Sequence, residues 1–433
     1  MMDQILRFIS VSDANVRYVL IGSMLLGMAA GIIGTFALLR KRSLLGDALA
    51  HAALPGVGLG FLLTLSKSIV PLFIGASIAG ILGVLTIIGI TRTNRIKQDA
   101  AIGITLSVYF GAGIVLLTYI QRLPSGNQSG LDKFLFGQAA SMLPSDIMMM
   151  SIVSLLVILI VIALFKEFRL LIFDQAFLAT LGYPVHILDI LLMVLVVFVV
   201  MIGLQAVGVV LMAALLITPA AGARFWTENL RSMIILAAVF GAFSGVVGTF
   251  LSSLAPRIPT GPVMVLAATM FFVISAVSAP RRGLAAKLLQ LRHNRRKMQQ
   301  EHFLRAAIEW LELHHESKAI PLKAFIGRTE MPISKLKRVT AWLIDKRMIK
   351  FSSSNHIQLT QKGYDKALQI VKSHRLWEYY LLYRMQLQED HLHRDADEIE
   401  HILTPDLIDQ IEKILQNEGV DTSNVVSVHP LHQ

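Results

Sequence analysis

Ser43 to Gly60 reads Ser-Leu-Leu-Gly-Asp-Ala-Leu-Ala-His-Ala-Ala-Leu-Pro-Gly-Val-Gly-Leu-Gly. Two ionisable residues, Asp47 and His51, interrupt a segment of small and apolar residues long enough, with its neighbours, to enter a bilayer. Their i,i+4 spacing puts both side chains on one face of a helix. Ionisable groups at membrane depth are costly and mark function by default. A carboxylate oxygen beside an imidazole nitrogen is half of a site for a divalent transition metal such as manganese, iron or zinc. The structural alternative makes Asp47 the N-cap of a helix entering the membrane and lets His51 hydrogen-bond within the bundle.

The rest of the chain fits a polytopic membrane protein with something soluble attached. Of its 433 residues 54% are apolar and 16% charged, with a mean hydropathy of +0.62. That charge content lies well below the roughly 25% of globular domains. The formal net charge of +11 suits Lys- and Arg-rich cytoplasmic loops and does not by itself imply nucleic acid. With no cysteine, any metal site must use His, Asp, Glu or Met. Met1 to Ser12 lacks the pattern of a cleaved signal, so the first membrane helix is expected to serve as an uncleaved one.

Apolar runs of near-spanning length occur at about 17–39, 46–65, 68–91, 101–120, 146–166, 188–222, 232–253 and 261–280. The run 188–222 is too long for one crossing and carries Gly203, Gln205 and Gly208 in its middle. The basic clusters are Arg40-Lys41-Arg42, Arg92 to Lys97, Lys166 to Arg169, Arg224 to Arg231 and Arg281-Arg282. Placing all of them inside needs two crossings within 188–222, hence nine in all with the N-terminus outside; eight would strand one cluster. Arg122 to Gln138, rich in turn formers, is then an external loop. Phe173 to Gly182 is a short amphipathic cytoplasmic helix closed by Gly182 and Pro184.

Leu-Leu-Gly-Asp-Ala-Leu-Ala-His-Ala followed by Leu-Pro-Gly-Val closely resembles the permease subunits of bacterial ABC importers for zinc, manganese and iron, and the resemblance runs from about Val16 to Arg282. It implies that Asp47 and His51 hold the metal in the translocation path. It implies that Phe173 to Gly182 carries the helix that couples to the ATPase, with Asp174, Ala176 and Gly182 matching its pattern. It also implies a separate ATPase subunit, an extracytoplasmic metal-binding protein, a second permease copy or homologue, and the bacterial inner membrane. The chain itself has no Gly-x-x-x-x-Gly-Lys-Ser/Thr phosphate loop, so it is expected to be a transport subunit and not an enzyme.

From Arg281 to Lys297 the composition turns basic, as in a juxtamembrane segment near anionic membrane lipid. The expected division is a permease domain over 1–282, a basic linker over 283–300 and a cytoplasmic domain over 301–433. In the last, Phe303, Ala306, Ala307, Trp310 and Leu311 share a helix face. A second helix is expected from Ile320, and a third over Pro332 to Lys346 with Ile333, Leu336, Val339, Trp342 and Leu343 facing in. Met348 to Leu359 reads as a hairpin, and a long helix opens at Lys362-Gly363. Three helices and a hairpin make a winged helix-turn-helix. The whole fold class is therefore an all-α membrane domain of eight or nine helices followed by a soluble winged-helix domain with a helical metal-binding and dimerisation part.

That order resembles the iron- and manganese-dependent regulators of the diphtheria toxin repressor class over roughly 300–415. The resemblance implies one metal site from His302, Asp397, Glu400 and His401, and an ancillary site from His374, Glu378 and His393. A carboxylate at Asp397 favours manganese. A histidine at 302 departs from the family's usual Met or Asp and favours zinc. Lys335, Lys337 and Arg338 face outward and are candidates for DNA phosphate contacts. The expected function is a permease importing a divalent metal, with a cytoplasmic domain that senses the same class of metal. A membrane-tethered, metal-responsive DNA-binding regulator is the alternative, and an ion-coupled secondary transporter a third reading.

Overall fold

The computed structural model describes residues 14–66, 68–92, 95–122, 143–254, 258–314, 319–328, 331–353, 355–385 and 405–417. The chain divides into two compact units, Met1–Lys287 and Leu288–Gln433.

Every regular element in the described residues of the first unit is a helix. Its elements are α1 (Ala14–Leu39), α2 (Leu45–Thr64), α3 (Ile69–Arg92), α4 (Gln98–Gln121), α5 (Pro144–Ala163), the short α6 (Phe165–Phe173) and α7 (Gln175–Thr180), α8 (Val185–Val207), α9 (Val209–Arg224), α10 (Leu230–Leu254) and α11 (Thr260–Ser278). Among the described residues eight helices are long and apolar enough to cross a membrane, and α9 is a shorter apolar one. Between Asp189 and Gln205, α8 is apolar on every side, as a helix at the centre of a bundle must be; Leu195, Val197, Val199 and Val200 are all within 1% of complete burial. Leu82, Val108, Val115, Ile152 and Leu159, in contrast, point outward and stay exposed. Outward faces with so many large apolar side chains suit hydrocarbon and not water.

Two glycine positions set the packing. Gly27 of α1 faces Gly241 of α10 so closely that a Cβ on either would fall on the other's carbonyl oxygen, the small-residue contact by which membrane helices approach. Gly208 divides the long apolar run 188–222: its φ of 94° and ψ of 161° end α8 and start α9. That conformation is open to glycine and strained for other residues. Met212 of α9 lies against Gly203 of α8, so the chain doubles back at the break. The 16 residues of α9 span about 24 Å at 1.5 Å per residue, short of the roughly 30 Å hydrocarbon core.

The second unit contains most of α12 (Leu284–Leu313), β1 (Ile320–Pro321), α13 (Ala324–Arg328), α14 (Ile333–Asp345), β2 (Ile349–Ser353), β3 (His356–Leu359), α15 (Gln361–Met385) and α16 (Pro405–Asn417). Its core joins Phe303, Ala307, Phe325, Val339, Leu343, Ile357 and Val371, with the Phe303 and Phe325 rings stacked at 4.2 Å. The three strands form an antiparallel sheet in the order β1-β3-β2. The three helices α12, α13 and α14 precede the β2–β3 hairpin as expected, with two differences. Ile320 opens a strand and not a helix, pairing with Ile357; Pro321 is tolerated there because the strand lies at the sheet edge. Ile333 is 58% exposed, since the first turn of α14 projects beyond the core that Leu336 and Val339 enter.

Candidate functional site

Asp47 and His51 lie on α2 as the i,i+4 spacing requires. The N-cap of α2 is Leu44, with no side-chain cap, and Asp47 falls in the first turn. The carboxylate thus complements the helix dipole without capping, which removes half of the structural alternative. The other half fares no better. His51 Nε2 is 3.6 Å from Asp47 Oδ1, beyond a hydrogen bond, and buried Nδ1 has no hydrogen-bond partner. The imidazole is held by an edge contact to Phe110 of α4 at 4.8 Å. Two ligand atoms each about 2.1 Å from one ion lie about 3.0–3.5 Å apart for right-angled to tetrahedral arrangements. The observed 3.6 Å needs only a small adjustment. Side-chain exposures of 38% for Asp47 and 17% for His51 leave the pair open on one side. Among the described residues no group of three or more His, Cys, Asp or Glu could enclose an ion, so the pair is a half-site within one chain.

The short helices α6 and α7 are tied to the bundle. Asp174 caps α7, its Oδ1 accepting from the Phe177 amide at 2.8 Å. Ala176 is exposed, and Gly182 lies in the turn beyond Leu181. Leu178 is fully buried, whereas Phe173, Phe177, Leu181 and Tyr183 are 43–63% exposed. Beneath them the five-residue turn between α1 and α2 is closed by Arg42 N to Ala37 O at 2.9 Å and Lys41 N to Leu38 O at 3.0 Å, with Lys41 at φ 57°; this is a Schellman-type end. Arg40 donates to Asp189 Oδ1 at 2.6 Å and to the Leu171 carbonyl at 3.0 Å. Arg42 donates to both Asp189 oxygens at 3.0 and 3.1 Å.

In the second unit His374 and Glu378 are 3% and 4% exposed. His374 Nε2 lies 2.9 Å from Glu378 Oε1, and Arg375 Nη1 donates to Glu378 Oε2 at 2.7 Å. Arg305 Nη1 approaches His374 Nδ1 at 3.4 Å, and His302 is half-buried one turn before Arg305 on α12. An imidazole and a carboxylate within reach of one point suit manganese, iron or zinc, and a guanidinium behind the carboxylate is the kind of support that orients a ligand. His393, Asp397, Glu400 and His401 lie outside the described residues. Lys335, Lys337 and Arg338 are exposed on α14.

Sequence reasoning passed over Asp189 and Asp146. Asp146 is 7% exposed, accepts from the Leu143 amide at 3.1 Å and from Gln205 Nε2 at 3.2 Å. The signal was present in both cases: an acidic residue inside an apolar run. Which basic or amide group meets it, 59 or 149 residues away, has no local signature.

Residues 12–279 match the family model described as the ABC 3 transport family. Residues 360–422 match that of the iron dependent repressor metal binding and dimerisation domain. The manganese transport system membrane protein MntC of Bacillus subtilis is 46% identical over 380 residues, covering 88% of this chain and 87% of that protein. The zinc transport system membrane protein TroC of Treponema pallidum is 42% identical over 281 residues, 65% of this chain and 94% of that one. Among solved structures, PsaBC from Streptococcus pneumoniae in complex with Fab superposes with a TM-score of 0.59 at 34% identity, covering 67% of this chain and all of that one. With a bundle built around a half-buried carboxylate and imidazole, and a family match over most of its length, the chain belongs to the ABC 3 transport family.

Proposed function

We propose that the chain is the permease subunit of an ABC importer that carries a divalent transition metal across the bacterial inner membrane. Manganese is the first candidate, because the Bacillus subtilis relative that aligns along most of the chain is named for manganese transport; zinc and iron belong to the same ligand class. The observation that carries this reading is the Asp47–His51 pair: a carboxylate and an imidazole 3.6 Å apart, open on one side, on a helix of a bundle with an apolar outer surface. A second permease copy, meeting the first on that side, completes the ligand set. The exposed apolar residues of α6, α7 and the turn after them, Phe173, Phe177, Leu181 and Tyr183, are the docking surface for a separate ATPase. An extracytoplasmic binding protein delivers the metal to the opposite face. The test is uptake of radiolabelled manganese into vesicles carrying the chain with its ATPase and binding protein. Uptake that needs ATP and all three components supports the reading; none above that of vesicles lacking the chain rejects it.

Nine crossings, the short α9 counted as one beside the eight longer helices, with Met1 outside and the second unit in the cytoplasm, keep every basic cluster inside. The chain has no cysteine, so single cysteines report cleanly. A cysteine beside Met1 is expected to react with an impermeant maleimide from outside the cell and one near Lys297 only after the membrane is opened. Labelling of both from the same side rejects an odd number of crossings.

The second unit is proposed to sense cytoplasmic metal through His302, Asp397, Glu400 and His401, with His374, Glu378 and His393 as a second site. Residues 288–433 are expected to bind manganese or zinc and to gain about 2.7 kcal/mol of stability at a hundredfold excess over Kd, read as a rise in Tm. The gain should shrink as pH falls and the histidines protonate, because metal requires neutral imidazole. Replacing Glu400 and His401 together should remove most of it; a shift that survives both changes rejects the assignment. Exposed Lys335, Lys337 and Arg338 favour a second reading, a membrane-tethered regulator. It requires duplex DNA binding by the same fragment that weakens steeply with salt.

A further inference from the structure

We propose that Arg40, Arg42 and Asp189 form a charge clamp that transmits movement of the cytoplasmic helices α6 and α7 to the helix bearing Asp47 and His51. The clamp rests on the transport reading above and adds positioning residues to it. Three elements meet at one carboxylate. Arg40 and Arg42 flank Lys41 in the turn that ends α1 and leads into α2. Asp189 stands near the start of α8, right after α7 and its following turn. Both arginines converge on it, at 2.6 Å from Arg40 and at 3.0 and 3.1 Å from Arg42. All three side chains are largely withdrawn from water, at 13%, 16% and 19% exposure, so the pairs are less screened than surface ones.

Arg40 also reaches the cytoplasmic helices themselves. It donates to the Leu171 carbonyl at 3.0 Å, one of the last carbonyls of α6, which have no amide of their own helix to accept from. In the amide orientation that satisfies both its polar atoms, the Gln175 side-chain oxygen accepts from the same guanidinium. One turn earlier on α1, Phe36 meets Phe168 of α6 edge to face at 5.7 Å, and both rings are fully buried. The last turn of α1 is therefore bound to α6 by an apolar contact and to α6, α7 and α8 by one guanidinium. The route from there to the half-site is short: Leu45 N bonds to Arg42 O at 3.1 Å, and Asp47 lies in the first turn of α2. A tilt of α6 and α7 cannot leave this turn in place without breaking charge-assisted bonds, which are about twice as strong as neutral ones.

The geometry distinguishes the three residues by what they hold. Asp189 gathers both arginines, so its loss releases α8 from the turn. Arg40 alone joins α6 and α7 to the turn. Lysine in place of Arg40 keeps the charge but presents a point donor, without the planar fork that serves Asp189 and Leu171 together.

The test uses vesicles containing the full chain with its ATPase and binding protein, and measures manganese uptake and ATP hydrolysis together. The wild-type chain reports on the transport reading: no ATP-dependent uptake there would defeat that reading and leave the clamp without a task. With wild-type uptake in hand, Asp189→Asn and Arg40→Lys are each expected to lower uptake tenfold or more. ATP hydrolysis should change less than twofold, so that the ATP spent per ion rises by about the same factor as uptake falls. Asp189→Glu, which keeps the carboxylate, should restore at least a third of wild-type uptake. Uptake within twofold of wild type in both Asp189→Asn and Arg40→Lys would overturn the proposal. So would a parallel fall of uptake and hydrolysis, or a failure of Asp189→Glu to recover, since either means the residues serve only folding or assembly.

Discussion

Replacing Asp47 or His51 with alanine is expected to reduce metal uptake by more than about a hundredfold while the protein still accumulates in the membrane. Loss of a group that merely supports a metal ligand costs 10- to 100-fold in affinity or activity, so loss of the ligand itself should exceed that range. Neither side chain is central to packing. Asp47 is 38% exposed and makes no cap, and the burial of α2 is supplied by Leu45, Leu49, Leu54, Val57 and Phe61. His51 does pack against Phe110, so His51→Leu is the sharper variant: it keeps an apolar contact there and removes the nitrogen. Uptake of radiolabelled manganese, normalised to protein in the membrane, decides the matter. Transport by Asp47→Ala or His51→Leu at the wild-type rate would remove the pair from the translocation path.

Glu378→Ala is expected to destabilise the second unit by about 3–5 kcal/mol, the usual cost of breaking a buried ion pair by deleting one partner. Glu378 is 4% exposed and accepts from Arg375 on one oxygen while its other oxygen faces His374. The site is thus under two demands, since the same carboxylate that meets Arg375 is a proposed metal ligand. Glu378→Gln keeps shape and one acceptor and should cost less than Glu378→Ala. Urea unfolding of residues 288–433 without metal measures both. A change under 1 kcal/mol for Glu378→Ala would show that the pairing carries little of the fold.

The apolar runs were long enough and the basic clusters regular enough for the membrane helices to be read directly, and the break at Gly208 showed as a run too long for one crossing with glycines inside it. The Asp47–His51 pair was legible because its geometry is local: four residues apart on a helix is adjacency. The Arg40–Asp189 contact was not. Arg40-Lys41-Arg42 read as a topological marker, and nothing short of the folded chain shows that two of these three arms turn inward to an acid 149 residues on. Ile320 was misread for a related reason: an apolar residue before a proline is compatible with helix start or strand, and only its partner Ile357, 37 positions later in the chain (357 − 320), decides.

The uncovered apolar surface around α7 has a consequence for how much of this protein a cell can hold. Phe173, Phe177, Leu181 and Tyr183 expose large apolar side chains within one short stretch of chain, the type of surface that invites aggregation when it is left uncovered. On the docking proposed above, a copy made without its ATPase would display there what chaperones and proteases recognise in misfolded chains. Under that docking, the supply of ATPase would set how much of the permease is protected from clearance.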